Sequence, residues 1–206
     1  KAYFHSDLTQ AIGKVDIPFA ALDLFSFSGH KLHGLKGSGA LIYKNSIRFV
    51  PVLHGGGQEF GFRSGTVSVP MADSLALAVE LSLDEQKKNL AHVQALWDEI
   101  DQGMDEEFVR KNSYRDGSPY VYDFSLKKHK ASVIVEALSQ REIYVSSASA
   151  CSSRTDKSSS VLKAMGRNDG EASNGVRVSF SEANTLEEVR IFLQTIHQLF
   201  KEVHVR

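Results

Sequence analysis

The feature of this sequence that most restricts its fold is a change of hydrophobic rhythm part-way along. The first stretch sets short apolar runs between glycine-rich loops: AALDLFSFSGH, GSGALIY and IRFVPVLHGGG. Short apolar runs bounded by turn residues read as buried strands. From Met71 a longer period takes over. Leu90, Val93, Trp97 and Ile100 recur at spacings that put them on one face of a helix, with Gly103 as its stop. After the polar loop KNSYRDGSP, the pattern predicts a strand over 120–126, a helix over 131–140 and a second strand over 142–146. Segment 148–160, rich in Ser and Ala, reads as a mobile loop, followed by a short helix over 161–165 and a strand over 176–180. The final helix opens on Thr185-Leu-Glu-Glu, a capping-box spacing, and aligns Val189, Phe192, Ile196, Leu199 and Val203 on one face. Mixed strands and helices give an α/β class. A domain boundary is expected where the rhythm changes, between 71 and 103.

Composition then narrows what such a chain does. At 206 residues, 42% hydrophobic and 24% charged, it reads as an ordinary globular protein able to bury a substantial core. A formal net charge of −1 gives no electrostatic reason to bind nucleic acid or an anionic membrane. No apolar run is long enough to span a bilayer, and KAYFHSDLTQ lacks the flank and apolar block of a signal peptide. The single cysteine excludes an internal disulfide framework and fits a reducing cytosol. Of eight histidines only His30 and His33 lie close together, and no carboxylate or cysteine completes a ligand set, so no metal is expected. The chain begins without Met, in what reads as a buried strand; the expectation is an internal starting point.

Five places carry chemistry. Ser28-Gly29-His30-Lys31 follows the apolar run 22–27. Burial would depress a lysine's pKa and equip it to condense with an aldehyde, but the tetrapeptide alone favours the plainer reading, the first solvated residue after a strand. His54-Gly55-Gly56-Gly57-Gln58-Glu59 runs into Arg63-Ser64-Gly65-Thr66, which offers N–H groups, a hydroxyl and a cation to an anion such as phosphate; most glycine clusters are simply tight loops. Asp7, with Gln10 three residues on, reads by itself as a surface acid or a helix cap, the other reading being a carboxylate that faces a protonated partner. Cys151 sits in small polar company, with Arg154 and Lys157 near in sequence to favour a thiolate, and reads as an exposed reactive thiol. Arg177 lies between two valines of an apolar strand, so it either snorkels outward or faces a carboxylate.

In this order, His5-Ser6-Asp7-Leu8-Thr9-Gln10, Ser28-Gly29-His30-Lys31, Gly55-Gly56-Gly57-Gln58-Glu59 with Arg63-Ser64-Gly65-Thr66, Ser147-Ala148-Ser149-Ala150-Cys151 and Val176-Arg177-Val178-Ser179 closely resemble the cysteine desulfurases, over essentially the whole chain. The resemblance implies part of a fold-type I pyridoxal-phosphate enzyme: residues 1–80 the second half of the large domain's sheet, and 81–206 the small C-terminal α/β domain with the cysteine loop. It implies a role for each matching residue. Lys31 would hold pyridoxal 5'-phosphate and move protons, Asp7 would pair with the ring nitrogen, and Gln10 with the ring oxygen. Ser28 and His30 would bind the phosphate, and Thr66 the phosphate of a neighbouring subunit in a homodimer. Arg177 would grip the carboxylate of L-cysteine, and Cys151 would take its sulfur as a persulfide, releasing L-alanine. The serine- and alanine-rich cysteine loop looks like that of the group serving iron–sulfur cluster assembly and tRNA thiolation, so the expected partner is a sulfur-acceptor protein of either pathway, in the cytoplasm.

The family's N-terminal half, which supplies the ring stacked on the cofactor and further phosphate contacts, has no counterpart in these residues. Two other readings follow. One is a related enzyme such as a selenocysteine lyase or an aminotransferase of the same class; the thiol argues against the latter. The other is a folded but catalytically incompetent fragment that acts at most as a binding domain.

Overall fold

The computed structural model describes residues 2–147 and 158–203. They form two compact units, Lys1–Asn89 and Leu90–Arg206.

The first unit is built on a three-stranded sheet of β1 (His5–Asp7), β2 (Leu24–Ser28) and β3 (Gly39–Tyr43), in that order. β1 runs parallel to β2, with Asp7 beside Ser26, and β2 runs antiparallel to β3, with Ser28 opposite Gly39. A small core of Leu8, Ile12, Leu22, Phe27, Leu32 and Ala78 joins the sheet to helix α1 (Val69–Asp84). The helix starts with Pro70 in its first turn, where a missing N–H costs no hydrogen bond.

Two expectations fail in this unit. The run IRFVPVL is not a strand: its one β pairing is an isolated bridge, Leu53 to Arg63, and Val50 and Val52 are each 86% exposed. Pro51 between them has no N–H to give a ladder, and a proline steers the residue before it. The opening strand is also not buried, since His5 and Asp7 are exposed.

The second unit begins within helix α2 (Gln86–Gly103), whose Val93, Leu96, Trp97 and Ile100 are buried. Its sheet has the order β4 (Val109–Lys111), β5 (Val121–Leu126), β7 (Gly175–Ser179), β6 (Ser146–Ser147), antiparallel throughout. Along β5 and β7 the period of two sorts side chains cleanly. Tyr122 and Phe124 with Val176 and Val178 face a core shared with α2, α3 (Ala131–Ser139) and α6 (Leu186–Glu202). Val121, Asp123 and Arg177 lie on the other face. There the chain adds two short helices, α4 (Ser160–Ala164) and α5 (Asp169–Ser173). Helix α6 starts as its sequence predicts: Thr185 Oγ1 accepts from Glu188 N, and the Glu188 carboxylate accepts from Thr185 N.

The strand expected over 142–146 is reduced to its last residue, with Ser147 added. Glu142 takes a left-handed conformation, φ 61°, and Ile143 N donates to Leu138 O. That is the hydrogen-bonding of a helix C-terminus, and it takes the backbone that a ladder would need. Ile143 and Val145 still pack on the core.

Candidate active site

β1 and β2 are parallel, so both end at the same edge of their sheet. Ligands of open α/β sheets bind outside such carboxyl ends. Asp7 closes β1; Ser28 closes β2 and leads into a tight turn, Gly29–Lys31. The register therefore brings Asp7 to the same sheet end as Ser28, His30 and Lys31.

The turn is fixed by packing at Gly29. Its N–H donates to Ser38 O, and its carbonyl accepts from both Leu32 N and Gly34 N. A Cβ there would lie 2.5 Å from Ser38 Oγ and 2.9 Å from Leu75 Cδ1, so only glycine fits between the hairpin and α1. With the backbone pinned, His30 and Lys31 point outward and are exposed. Lys31 is the solvated lysine after a strand, not a buried one.

Asp7 is exposed too. Its Oδ1 accepts from Thr9 N at 2.9 Å, and hydrogen bonds from Thr9, with a smaller contribution from His5, hold its pKa below the ordinary carboxylate value. It is a ready anion at neutral pH. Gln10 accepts from Lys14 Nζ at 3.1 Å. No hydrogen bond or ion pair links Thr66 to these residues. Its segment is braced instead by Ser64 Oγ, which donates to the carbonyls of Leu53 and His54, and by the rings of Phe49 and Phe62 against Tyr43.

In the second unit, Arg177 stands on the solvent side of β7 and is exposed. It lines a cavity of about 500 Å³ with Asp123, Asn112, Ser146, Ser147 and Ser159 among others. Cys151 falls within 148–157, outside the described residues. Ser147, just before that segment, and Ser159, two residues beyond it, both line the cavity of Arg177. Ser147 is placed by pairing with Val176, and Ser159 by its N–H to Ala172 O and its cap on Leu162 N.

The same cavity holds residues that sequence reasoning missed. Asp123 sits directly opposite Arg177 across β5 and β7. Burial pushes its carboxyl pKa up, against the opposing pull of a hydrogen bond from Asn112 and the charges of Arg177 and Arg167. Asn112 is 1% exposed and fully engaged: Nδ2 donates to Asp123 Oδ1 and Ser125 Oγ, and Oδ1 accepts from Arg167 Nε at 2.7 Å. One signal was available in the sequence, an acid in the middle of the apolar run YVYDFSL. A charge there requires a partner. Asn112 and Arg167 gave none, because they meet Asp123 only through the fold.

Among the described residues no group of three or more His, Cys, Asp or Glu could hold a metal, and no helix is long and apolar enough to cross a membrane. The donor set at the first sheet end is that of an anionic aldehyde cofactor with a basic ring: a primary amine, a stable carboxylate, and a hydroxyl and imidazole for phosphate. These residues fit pyridoxal phosphate.

Comparison with known proteins points the same way. The family model for class-V aminotransferases matches residues 1–192. A NifS/IcsS protein homolog of Lactobacillus delbrueckii subsp. bulgaricus is 34% identical over 205 residues, which are 97% of this chain and 53% of that protein. The cysteine desulfurase IscS of Mannheimia succiniciproducens is 36% identical over 211 residues, covering 98% and 51%. A solved NifS-like protein superposes with a TM-score of 0.84 at 32% identity, over 97% of this chain and 52% of its own. The chain spans about half the length of the curated relatives it matches.

Proposed function

Because this chain belongs to the class-V aminotransferase family, we propose that the protein it forms part of is a pyridoxal-phosphate-dependent cysteine desulfurase. It would convert L-cysteine to L-alanine and carry the sulfur on Cys151. The observation that most supports the reading is the shared sheet end, where parallel strands deliver Asp7 and the turn of Ser28, His30 and Lys31 together.

Pyridoxal phosphate, when bound, supplies the electron sink. This chain's residues do the rest. The exposed amine of Lys31 would hold the cofactor and would be placed to hold or deliver a proton. Asp7, kept anionic by Thr9, would pair with the ring nitrogen, and Gln10 with the ring oxygen. Ser28 Oγ and the His30 ring would bind its phosphate, and Thr66 would do so across a homodimer. Arg177 receives the substrate carboxylate as a charge-assisted pair. The Cys151 thiolate attacks the substrate sulfur: an S–S bond forms, the C–S bond breaks, and its electrons stay with the carbon that is protonated to alanine. The persulfide then passes to an acceptor protein of iron–sulfur assembly or tRNA thiolation in the cytoplasm. A specific observation favours a second reading for the isolated 206 residues, that of a folded segment without turnover: the cofactor-side unit leaves Val50, Val52 and Phe60 more than four-fifths exposed.

The test uses the complete protein with pyridoxal phosphate and L-cysteine. Borohydride should fix the cofactor on Lys31, and the peptide of Cys151 should gain one sulfur by mass. Cys151→Ser should keep the Lys31 adduct and lose the sulfur. An adduct on a different lysine, or undiminished alanine formation by the serine variant, overturns the assignment.

A further inference from the structure

The cavity beside Arg177 is a better-built site than a lone substrate arginine requires. Among the described residues that line it, Arg177 and Asp123 are the only charged ones. They are directly opposed on adjacent antiparallel strands, so their side chains leave the same face, with Cβ atoms about 5 Å apart for such a pair. Arg177 makes no hydrogen bond or ion pair with any described residue. Asp123, in contrast, is held at every polar atom but one. Its N–H donates to Ser113 Oγ at 2.8 Å, its carbonyl accepts from Asn112 N at 2.9 Å and Ser113 N at 3.1 Å, and its Oδ1 accepts from Asn112 Nδ2 at 2.8 Å. Asn112 cannot give way, because Arg167 Nε and Ser125 Oγ fix it from below. Arg167 in turn is committed to Asn112 and to Lys111 O. Only Asp123 Oδ2 has no hydrogen-bond partner among the described residues.

We infer that Asp123 is a specificity-determining residue of the Arg177 subsite, admitting amino acids with a single acid group and rejecting those whose side chain carries a second. This rests on the reading that Arg177 receives the substrate carboxylate. The cavity then offers one positive and one negative charge, which balance. A single ligand carboxylate can be shared with the guanidinium. A second acid finds no cation left and a fixed anion one strand away, in a half-enclosed space where charges act more strongly than in bulk water. The neutral thiol of L-cysteine escapes that repulsion. A rigid carboxylate is suited to the task, since a mobile one would swing away from the intruding charge.

The experiment compares L-alanine with L-aspartate, which adds one side-chain carboxylate. Both are titrated at about pH 8, above the ordinary carboxylate range, into the complete protein with its cofactor. Two readouts are taken: competitive inhibition of L-cysteine turnover, and the Arg177 side-chain N–H resonance in arginine-labelled protein. In Asp123→Asn, which keeps an oxygen for Asn112 but no charge, L-aspartate should bind about tenfold more tightly, the effect of one charge at this range. L-alanine should change by less than about threefold. Asp123→Ser should relax selectivity in the same direction. If both ligands shift equally, or neither shifts in either variant, Asp123 does not set specificity. That failure is separable from failure of the desulfurase reading. Turnover of L-cysteine with an unchanged aspartate-to-alanine ratio sinks only the selectivity, whereas absence of alanine formation sinks the reaction while the resonance titration still reports on the subsite.

Discussion

The two units treat their apolar side chains differently. Among the described residues of Leu90–Arg206, nineteen buried ones form one core, and helix α6 hides Val189, Phe192, Leu193, Ile196, Leu199 and Phe200. In Lys1–Asn89 the core has six residues, and the comparable helix α1 buries only Ala78 while Val69, Leu77 and Leu81 are each more than half exposed. A fully buried aliphatic or aromatic side chain contributes roughly 1.5–3 kcal/mol relative to an exposed one. The second unit is therefore stabilised by its own burial, and the first draws much less from its own. Yet the first unit carries all of the proposed cofactor residues. Its chemistry is held by backbone devices, a parallel strand register and a glycine-locked turn, more than by a deep core.

The sharpest way to break that contrast is a matched pair of truncations. Phe124→Ala, at a fully buried position of β5, should cost about 3–5 kcal/mol in urea unfolding. Leu81→Ala, on the exposed side of α1, should stay within about 0.5 kcal/mol. Equal costs would mean that the first unit's leucines are buried in solution and that the contrast is false. Next in size is Gly29→Ala. The added Cβ meets Ser38 Oγ and Leu75, so a cost of about 1–3 kcal/mol is expected. The same change should move the Lys31 turn, read as slower borohydride labelling of Lys31. Unaltered stability and labelling would show that the turn is not locked at this glycine.

Legibility in the sequence follows the same division. The elements of the second unit were readable because burial enforces period: the helical stripe of Val93, Trp97 and Ile100, the strand YVYDFSL and the capping box at Thr185 each appear where their spacing puts them. In the first unit, apolar residues that are not buried imitate buried strands, and IRFVPVL misled for that reason. The residues with chemical potential in Asp7, the Ser28–Lys31 turn and Arg177 were legible as types. Their environments were not: whether Lys31 is buried depends on how Gly29 packs against α1, a contact between residues distant in sequence. Asp123 was hidden by a similar cause, since its meaning comes from Arg177 on the neighbouring strand and Asn112 just past the end of β4.

Helix capping offers a smaller test of the second unit's self-sufficiency. Thr185→Ala removes the acceptor for Glu188 N and should cost about 1 kcal/mol, seen as a lower urea midpoint at constant slope. A loss much below that would mean α6 is held by its buried face alone.

The subtlest expected effect concerns the sign of a pH dependence, and it sets the two units' carboxylates against each other. The pKa of Asp7 is lowered by its Thr9 hydrogen bonds, so the folded state holds its proton less tightly than the unfolded chain. Its contribution is present above the unfolded carboxylate pKa and fades as pH falls through the lower folded value. Asp123 is raised by burial, so the folded state holds its proton more tightly. Its contribution is present below the unfolded pKa of 3.8 and is lost as pH rises through the folded value. Removing the ionisable group should therefore act in opposite senses. Asp123→Asn keeps the acceptor for Asn112, and its stability relative to the native protein should improve from pH values below 3.8 up to neutrality. Asp7→Asn should instead become relatively worse over the same rise. Urea unfolding of both variants across that range decides the matter: if the two differences slope the same way, burial does not dominate at Asp123, and the carboxylate opposite Arg177 is as well solvated as the one at the end of β1.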